Sequence, residues 1–423
     1  MFSAADNERL TQTGPGTPMG NVFRRFWIPF LLPEELAEPD QPPLPVRLLG
    51  EELLAFRDSE GRPGLVERYC PHRRADLFLG RNEQSGLRCV YHGWKFDVHG
   101  NILEMPAEPA DTPLRNEINI QAYPVREWGG LIWAYMGEPE HMPDTPPELE
   151  WGRVPPAHRH ITKRLQETNY AQGVEGGIDS SHVGILHSLL DEDTSLPFKQ
   201  RQIPISSKLP YLAADTAPRF FVRRTDYGMV VGARRQADED HYYWRITQYL
   251  TPFYTMIAPR PGGPISGHAW VPIDDENCWV FTMTWDTDQP LADLSQFDPA
   301  DVHANTDAAF RSPVNRSNLY GLDREAQRLR SMTGIRGIGM QDAAVQESMG
   351  PIVNRSTENL GASDAAIVNF RKLLLRLASS LEQGLDPAPP KHPEWYRVRS
   401  AGVVLEKQVD FQAGAADLMR ATA

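Results

Sequence analysis

The sequence predicts an α+β chain: a small all-β unit at the N-terminus, then a larger unit in which an antiparallel sheet carries helices. Three observations lead there. Between residues 44 and 137, short apolar runs alternate with turn-forming residues, and few helical periods occur. Between residues 139 and 156, six prolines interrupt the chain. Near the C-terminus, one long amphipathic helix stands out. A length of 423 residues suits two or three domains. The boundary is placed in the proline-rich stretch, giving residues 1–150 and 151–423.

Taken in order, "PVRLLGEELLAFRDSEGRPGLVERYC" holds two apolar runs around the turn Ser59–Gly64, a hairpin signal. "YPVREWGGLIWAYMG" is a second hairpin, turning at Gly129–Gly130. The proline-dense segment reads as an extended linker. "RFFVRRTDYGMVVGARR", "YYWRITQYLTPFYTMIAP" and "GHAWVPIDDENCWVFTMTW" read as antiparallel strands, with Asp226-Tyr227-Gly228 as a turn. In "SDAAIVNFRKLLLRLASSLEQG", Ile367, Phe370, Leu374, Leu377 and Leu381 recur at intervals of three and four, forming one apolar stripe. Ser363 and Gly384 are the expected caps.

Composition narrows the function. Apolar residues make up 40% and charged residues 23%, as in ordinary globular chains. A formal net charge of −13 argues against nonspecific nucleic-acid binding. Three cysteines cannot form a disulfide framework. The N-terminus has no basic region, and the apolar run "FWIPFLL" is too short for a signal peptide or a membrane span. A soluble cytoplasmic protein is expected.

Two of the three cysteines fall in "RYCPHRRADLFLGRNEQSGLRCVYHGW", residues 68–94. Cys70 and His72 lie in one loop, Cys89 and His92 in the next. Buried thiols with surface imidazoles are one reading, and a zinc site is another. Zinc fingers usually pair Cys with Cys and His with His, whereas each loop here supplies one of each. A two-iron cluster with two thiolates on one iron and two imidazoles on the other needs that mixture. Downstream, "ETNYAQGVEGGIDSSHVGILH" carries Asp179, His182 and His187. By itself it reads as a polar helix with two ordinary histidines. Five residues at about 100° each set the histidines off a common face, so they converge only if the helix ends, bends or bulges between them.

The pattern C-x-H-x16-C-x2-H, closed by "YHGW", resembles the Rieske [2Fe–2S] domain. Followed by D-x2-H-x4-H, it resembles the oxygenase components of Rieske non-heme iron aromatic-ring hydroxylating oxygenases, in particular the phthalate 4,5-dioxygenase group. The resemblance implies a helix-grip catalytic domain and a Rieske cluster held by Cys70, His72, Cys89 and His92. It also implies a mononuclear Fe(II) on His182, His187 and a downstream carboxylate. The segment "MQDAAVQESMGPIVNRSTENLGASD" resembles the one that supplies this third ligand. Asp342 is the choice and Glu347 the runner-up; alternatively, Asp342 is a helix-start charge. Asp179 would link His182 to His92 of the partner subunit, which requires a head-to-tail ring, a trimer or two stacked trimers. Asn169 matches a family Asn near the iron, and Glu175 is either an outer support or a helix-surface charge. Arg74 stands where many members have Gly.

By the same resemblance, electrons come from NADH through a separate reductase with flavin and a plant-type cluster. This chain carries no dinucleotide fingerprint of its own. The implied reaction is cis-dihydroxylation of an aromatic carboxylate by O₂. A monooxygenase or O-demethylase on the same scaffold, or a Rieske electron carrier without catalysis, are the alternatives. A carboxylate substrate needs a cation in an apolar pocket. The candidates are Lys208, Arg219, Arg234, Arg235 and Arg245. Arg245, in the half-buried strand "YYWRITQYL", comes first and Lys208 second, with Ser180 and Ser181 as hydrogen-bond donors. Each could equally be a solvated charge or a cap.

Overall fold

A computed structural model describes residues 2–204, 210–291 and 306–423. The chain divides into two compact units: Thr13–Pro146, and the N-terminal residues through Gln12 together with Pro147–Ala423.

Short antiparallel strands build the Thr13–Pro146 unit. One sheet runs Leu44–Leu48, Glu51–Arg57, Pro63–Glu67 and Ala122–Tyr123. A second runs Arg81–Glu83, Gly86–Arg88, Lys95–Phe96 and Ile102–Glu104. In the third, Leu131–Tyr135 lies between Trp27–Leu31 and Val125–Trp128. Both expected hairpins form. Gly129 and Gly130 take φ of 63° and 82°, the left-handed pair that a tight two-residue hairpin demands. Leu54, Phe56, Val66, Leu87, Trp94 and Phe96 fill a core that also contains Cys70 and Cys89. The cluster loops are therefore anchored from beneath by apolar packing.

The proline-rich stretch is not extended. It forms turns at Pro139–His141 and Pro156–His158 and a short helix at Glu150–Arg153. Proline's fixed φ suits the first position of such turns. Glu150 and Trp151 are fully buried. Burial of Glu150 is tolerated because Arg399 Nε (2.5 Å), Trp285 Nε1 (3.0 Å) and the backbone N–H of Thr422 (2.6 Å) all donate to its carboxylate. The division at residue 150 places residues 1–12 with the first domain. In the structure the helix Ala4–Thr11, capped by Ser3, belongs to the second unit.

That second unit is built on an eight-stranded antiparallel sheet. Its order is Arg159–Gln166, Cys278–Trp285, Ile265–Pro272, Tyr254–Ile257, His241–Leu250, Gly228–Gln236 and Arg219–Arg224, with Ala401–Glu406 also paired to His241–Leu250. The strands and the Asp226–Gly228 turn fall where the sequence pattern puts them. Helix Ala365–Glu382 buries Phe370, Leu374 and Ala378. Asp364, not Ser363, is its N-cap, while Gly384 takes φ 80° just past its end.

Helix Tyr170–Ile178 lies against strands Tyr254–Ile257 and Ile265–Pro272. Glu175 ties it down, accepting from Arg355 (3.0 and 3.0 Å) and Arg371 (2.7 Å) in a buried network. Burial opposes ionisation of Glu175, but the two guanidiniums outweigh it and hold its pKa below the usual range. Glu175 is thus neither a surface charge nor a support of the metal ligands.

Candidate active site

The two Cys/His loops repeat one backbone pattern. Cys70 N–H donates to Ala75 O (2.9 Å) and Arg74 N–H to Cys70 O (2.8 Å). Likewise Cys89 N–H donates to Trp94 O (2.8 Å) and Gly93 N–H to Cys89 O (3.0 Å). The fourth residue after each Cys is left-handed, with φ of 60° at Arg74 and 75° at Gly93. This explains the departure noted in the sequence: the position asks for Gly, and Arg74 occupies it at a cost of about 1–2 kcal/mol. Arg74 Nη1 pairs with Glu67 at 2.5 Å.

Both thiols are buried, and burial with Cys89 alongside pushes Cys70 up to about 11. The rings of His72 and His92 meet edge-on at 4.5 Å, and Trp94 stacks on His72 at 4.7 Å. Nδ1 of His72 is buried without a hydrogen-bond partner. Such an orphaned nitrogen is costly unless a metal takes it. The donor set, two buried thiols and two facing imidazoles, fits a Rieske cluster.

In the second unit, helix Tyr170–Ile178 ends before the histidines do their work. Asp179 caps it, and His182–Gly184 forms a 3-10 turn. This break allows His182 and His187 to converge despite their spacing. Asp342 comes from helix Ile338–Ser348. Its Oδ1 lies 3.4 Å from His182 Nε2 and 3.3 Å from His187 Nε2. One donor atom from each of the three lies within 4.8 Å of the others. The opposite nitrogens are occupied: His182 Nδ1 donates to Asp179 Oδ2 (3.1 Å) and His187 Nδ1 to Gln341 Oε1 (2.7 Å). Gln341 Nε2 donates to Ile335 O (2.8 Å), which leaves its oxygen for the histidine. Both imidazoles are thereby set with Nε2 lone pairs toward Asp342, the arrangement a divalent iron needs.

Burial disfavours a charged His182, yet hydrogen bonds to Asp179 and Asp342 raise its pKa to about 9, so a cation bound at Nε2 would take the place of a proton there. Burial also opposes ionisation of Asp342, but His182 and His187 hold it far below the usual carboxylate range. Three ligands of this type fit mononuclear iron.

The triad opens on a cavity of about 160 Å³ whose apolar wall includes Val183, Leu212, Ile257, Trp270 and Val280. Arg245 lines it and is 9% exposed. Its Nη1 donates to Ser180 Oγ (3.3 Å) and Thr247 Oγ1 (3.4 Å), and among the described residues it has no carboxylate partner. His268, also on the wall, is held down to about 4 by burial and so stays neutral.

Not every expectation holds. Asn169 caps helix Tyr170–Ile178 at the end opposite Asp179, roughly 15 Å away along the axis. Its side chain is spent on Ala171 N, Thr11 O and Asp275 O, so it serves the fold rather than the iron. Glu347 is five residues beyond Asp342 and faces another way, accepting from Tyr320 Oη (3.0 Å). Ser180 is fully buried behind Arg245 and does not line the cavity. Arg219 is exposed, and Arg234 packs over the Tyr242 ring at 4.2 Å. Lys208 lies outside the described residues. Sequence spacing does not mark Gln341, whose partner His187 lies 154 residues away, and no motif marks His268.

A cluster domain with two Cys and two His, joined to a sheet-and-helix domain bearing two His and one Asp, defines a Rieske non-heme iron oxygenase. Comparison with known proteins agrees. Residues 26–124 match the Rieske [2Fe–2S] domain family, and residues 134–422 match the family described as LigXa C-terminal domain like. The chain is 39% identical to the phthalate 4,5-dioxygenase oxygenase subunit of Pseudomonas putida, over 91% of this chain and 88% of that one. It is 35% identical to the 3-chlorobenzoate-3,4-dioxygenase oxygenase subunit of Comamonas testosteroni, over 97% of each. It is also 32% identical to the 5,5'-dehydrodivanillate O-demethylase oxygenase subunit of a Sphingobium species, over 92% and 83%. Crystalline dicamba monooxygenase shares the fold, with a TM-score of 0.56 at 19% identity over 85% of this chain and 98% of that one. The chain belongs to the Rieske oxygenases with a LigXa-type C-terminal domain and is an oxygenase subunit of that family. Among the described residues, no helix is long and apolar enough to cross a membrane.

Proposed function

We propose that this chain is the oxygenase component of a dioxygenase that cis-dihydroxylates an aromatic carboxylate, of the phthalate or substituted-benzoate class. The observation that carries this reading is Arg245: a buried cation on the cavity wall with no carboxylate partner among the described residues. An unpaired buried guanidinium is expensive, and a substrate carboxylate is the natural counter-charge. The phthalate and chlorobenzoate relatives add support.

Cys70, His72, Cys89 and His92 would hold the cluster, and His182, His187 and Asp342 the iron. When loaded, these sites supply electron storage and O₂ activation respectively. The protein does the rest. Asp179 and Gln341 fix the imidazole tautomers. Arg245 clamps the carboxylate, and Leu212, Ile257 and Trp270 confine the ring and exclude water. Asp179 keeps part of its side chain exposed, 22%, as a bridge to His92 of the partner subunit would need. The working form is a homo-oligomeric ring in the cytoplasm, served by a separate NADH-dependent reductase.

Similarity to an O-demethylase subunit favours a second outcome on the same scaffold, monooxygenation. Turnover under ¹⁸O₂ with reductase and an aromatic acid separates the two. Two labelled atoms in a dihydrodiol are expected; one labelled atom, or released formaldehyde, refutes the dioxygenase reading.

A further inference from the structure

Ser180 is shared by two arginines. Arg235 is 1% exposed. Its Nη2 donates to Ser180 O (2.6 Å), its Nη1 to Ser180 Oγ (3.4 Å) and its Nε to Asp215 O (3.0 Å). Arg245 Nη1 donates to the same Ser180 Oγ at 3.3 Å. Strand register pairs Arg235 with Tyr243 and Ala233 with Arg245, so both arginines project from one face of the sheet as diagonal neighbours. Ser180 directly follows Asp179, whose carboxylate holds His182.

We propose that Arg235 is a positioning residue that ties the carboxylate anchor Arg245 to the Asp179–His182 pair through Ser180. The inference rests on Arg245 as that anchor. Arg235 pins the backbone carbonyl of Ser180, which keeps the hydroxyl where Arg245 can use it. Arg245 then keeps its remaining donors aimed into the cavity. Neither arginine forms an ion pair with a carboxylate among the described residues, so the two buried cations repel across one neutral serine. Burial, with Arg245 adding, brings Arg235 down to about 10. A substrate carboxylate at Arg245 offsets one of the two charges and so relieves their repulsion. Because Ser180 adjoins Asp179, the same bonds transmit the presence of an anion to the support of His182.

A residue that merely braces the fold would weaken all ligands alike; a residue that positions Arg245 weakens anions selectively. The test is calorimetric titration of the iron-loaded protein, without reductase, using phthalate and 3-chlorobenzoate against their neutral amides. Arg235→Gln is expected to weaken binding of the anions about tenfold and of the amides less than about twofold, with iron content unchanged. Ser180→Ala removes the shared acceptor and should produce the same selective loss, with the double variant no worse than the single ones. Equal loss for anions and amides, or no loss for anions, overturns the proposal. If Arg235→Gln does not fold, Ser180→Ala decides alone: unchanged anion affinity overturns it. If instead the wild type prefers no anion over its amide and Arg245→Gln changes nothing, the carboxylate reading itself falls, and the role of Arg235 falls with it.

Discussion

Each histidine of the candidate iron triad is aimed by a residue outside the triad. Asp179 holds His182 with a charge, whereas Gln341 holds His187 with a neutral amide whose orientation is fixed by Ile335 O. Gln341→Leu would leave the buried His187 N–H without an acceptor and free the ring to turn. Removing such a support typically costs metal affinity about 10–100-fold. The expected outcome is a loss of that order in iron affinity, measured by competition with a chelator, with cluster absorbance and unfolding midpoint nearly unchanged. Iron affinity equal to wild type would mean that the triad needs no help at His187. The candidate ligands stand out in the sequence because their motifs are compact. Gln341 does not, since its partner lies 154 residues away. The family resemblance puts Asn169 near the iron, but helix Tyr170–Ile178 separates it from Asp179 and its side chain is spent on the helix start and on Thr11 O and Asp275 O.

At the scale of elements, the site depends on how closely helix Tyr170–Ile178 lies on the sheet. A Cβ on Gly173 would enter the ring of Trp270, meeting Cδ2 at 2.7 Å and Cζ3 at 2.8 Å. Trp270 cannot easily yield, because its Nε1 is bonded to Thr255 Oγ1 at 3.1 Å. Two effects of Gly173→Ala oppose each other. Helix propensity favours Ala by about 1 kcal/mol, while overpacking costs about 1–3 kcal/mol. Packing should win because the ring is pinned. The expected result is a lower unfolding midpoint and a reduced mononuclear iron content, with cluster absorbance retained. A raised midpoint would show that helix propensity outweighs the clash with Trp270. Hairpins and strands were legible because turn chemistry and alternation are local. The proline-rich stretch was misread for the same reason: proline starts turns as readily as it extends a chain, and the burial of Trp151 and Glu150 comes from distant partners such as Trp285 and Arg399.

For the whole molecule, the open question is which chain's cluster feeds which chain's iron. Each polypeptide carries both ligand sets, so a monomer could in principle suffice. The proposed Asp179 bridge says otherwise, because it assigns the electron donor to a neighbour. Mixed assemblies decide the matter. Cys89→Ser chains would lack the cluster and keep the iron site; Asp342→Ala chains would lack the iron and keep the cluster. Neither variant alone should turn over. Co-expressed under two tags and purified on both, they should yield, if the proposed ring forms, rings that contain each kind. In a head-to-tail ring of three, every mixed composition has one junction where an intact cluster meets an intact iron site, so turnover should recover to about a third of wild type per chain. Light scattering must show the ring, and iron analysis must match the composition. If electrons pass within one polypeptide, mixing restores nothing, because no chain in the assembly owns both centres. A mixed trimer of correct mass and metal content that remains inactive would therefore eliminate the bridge through Asp179.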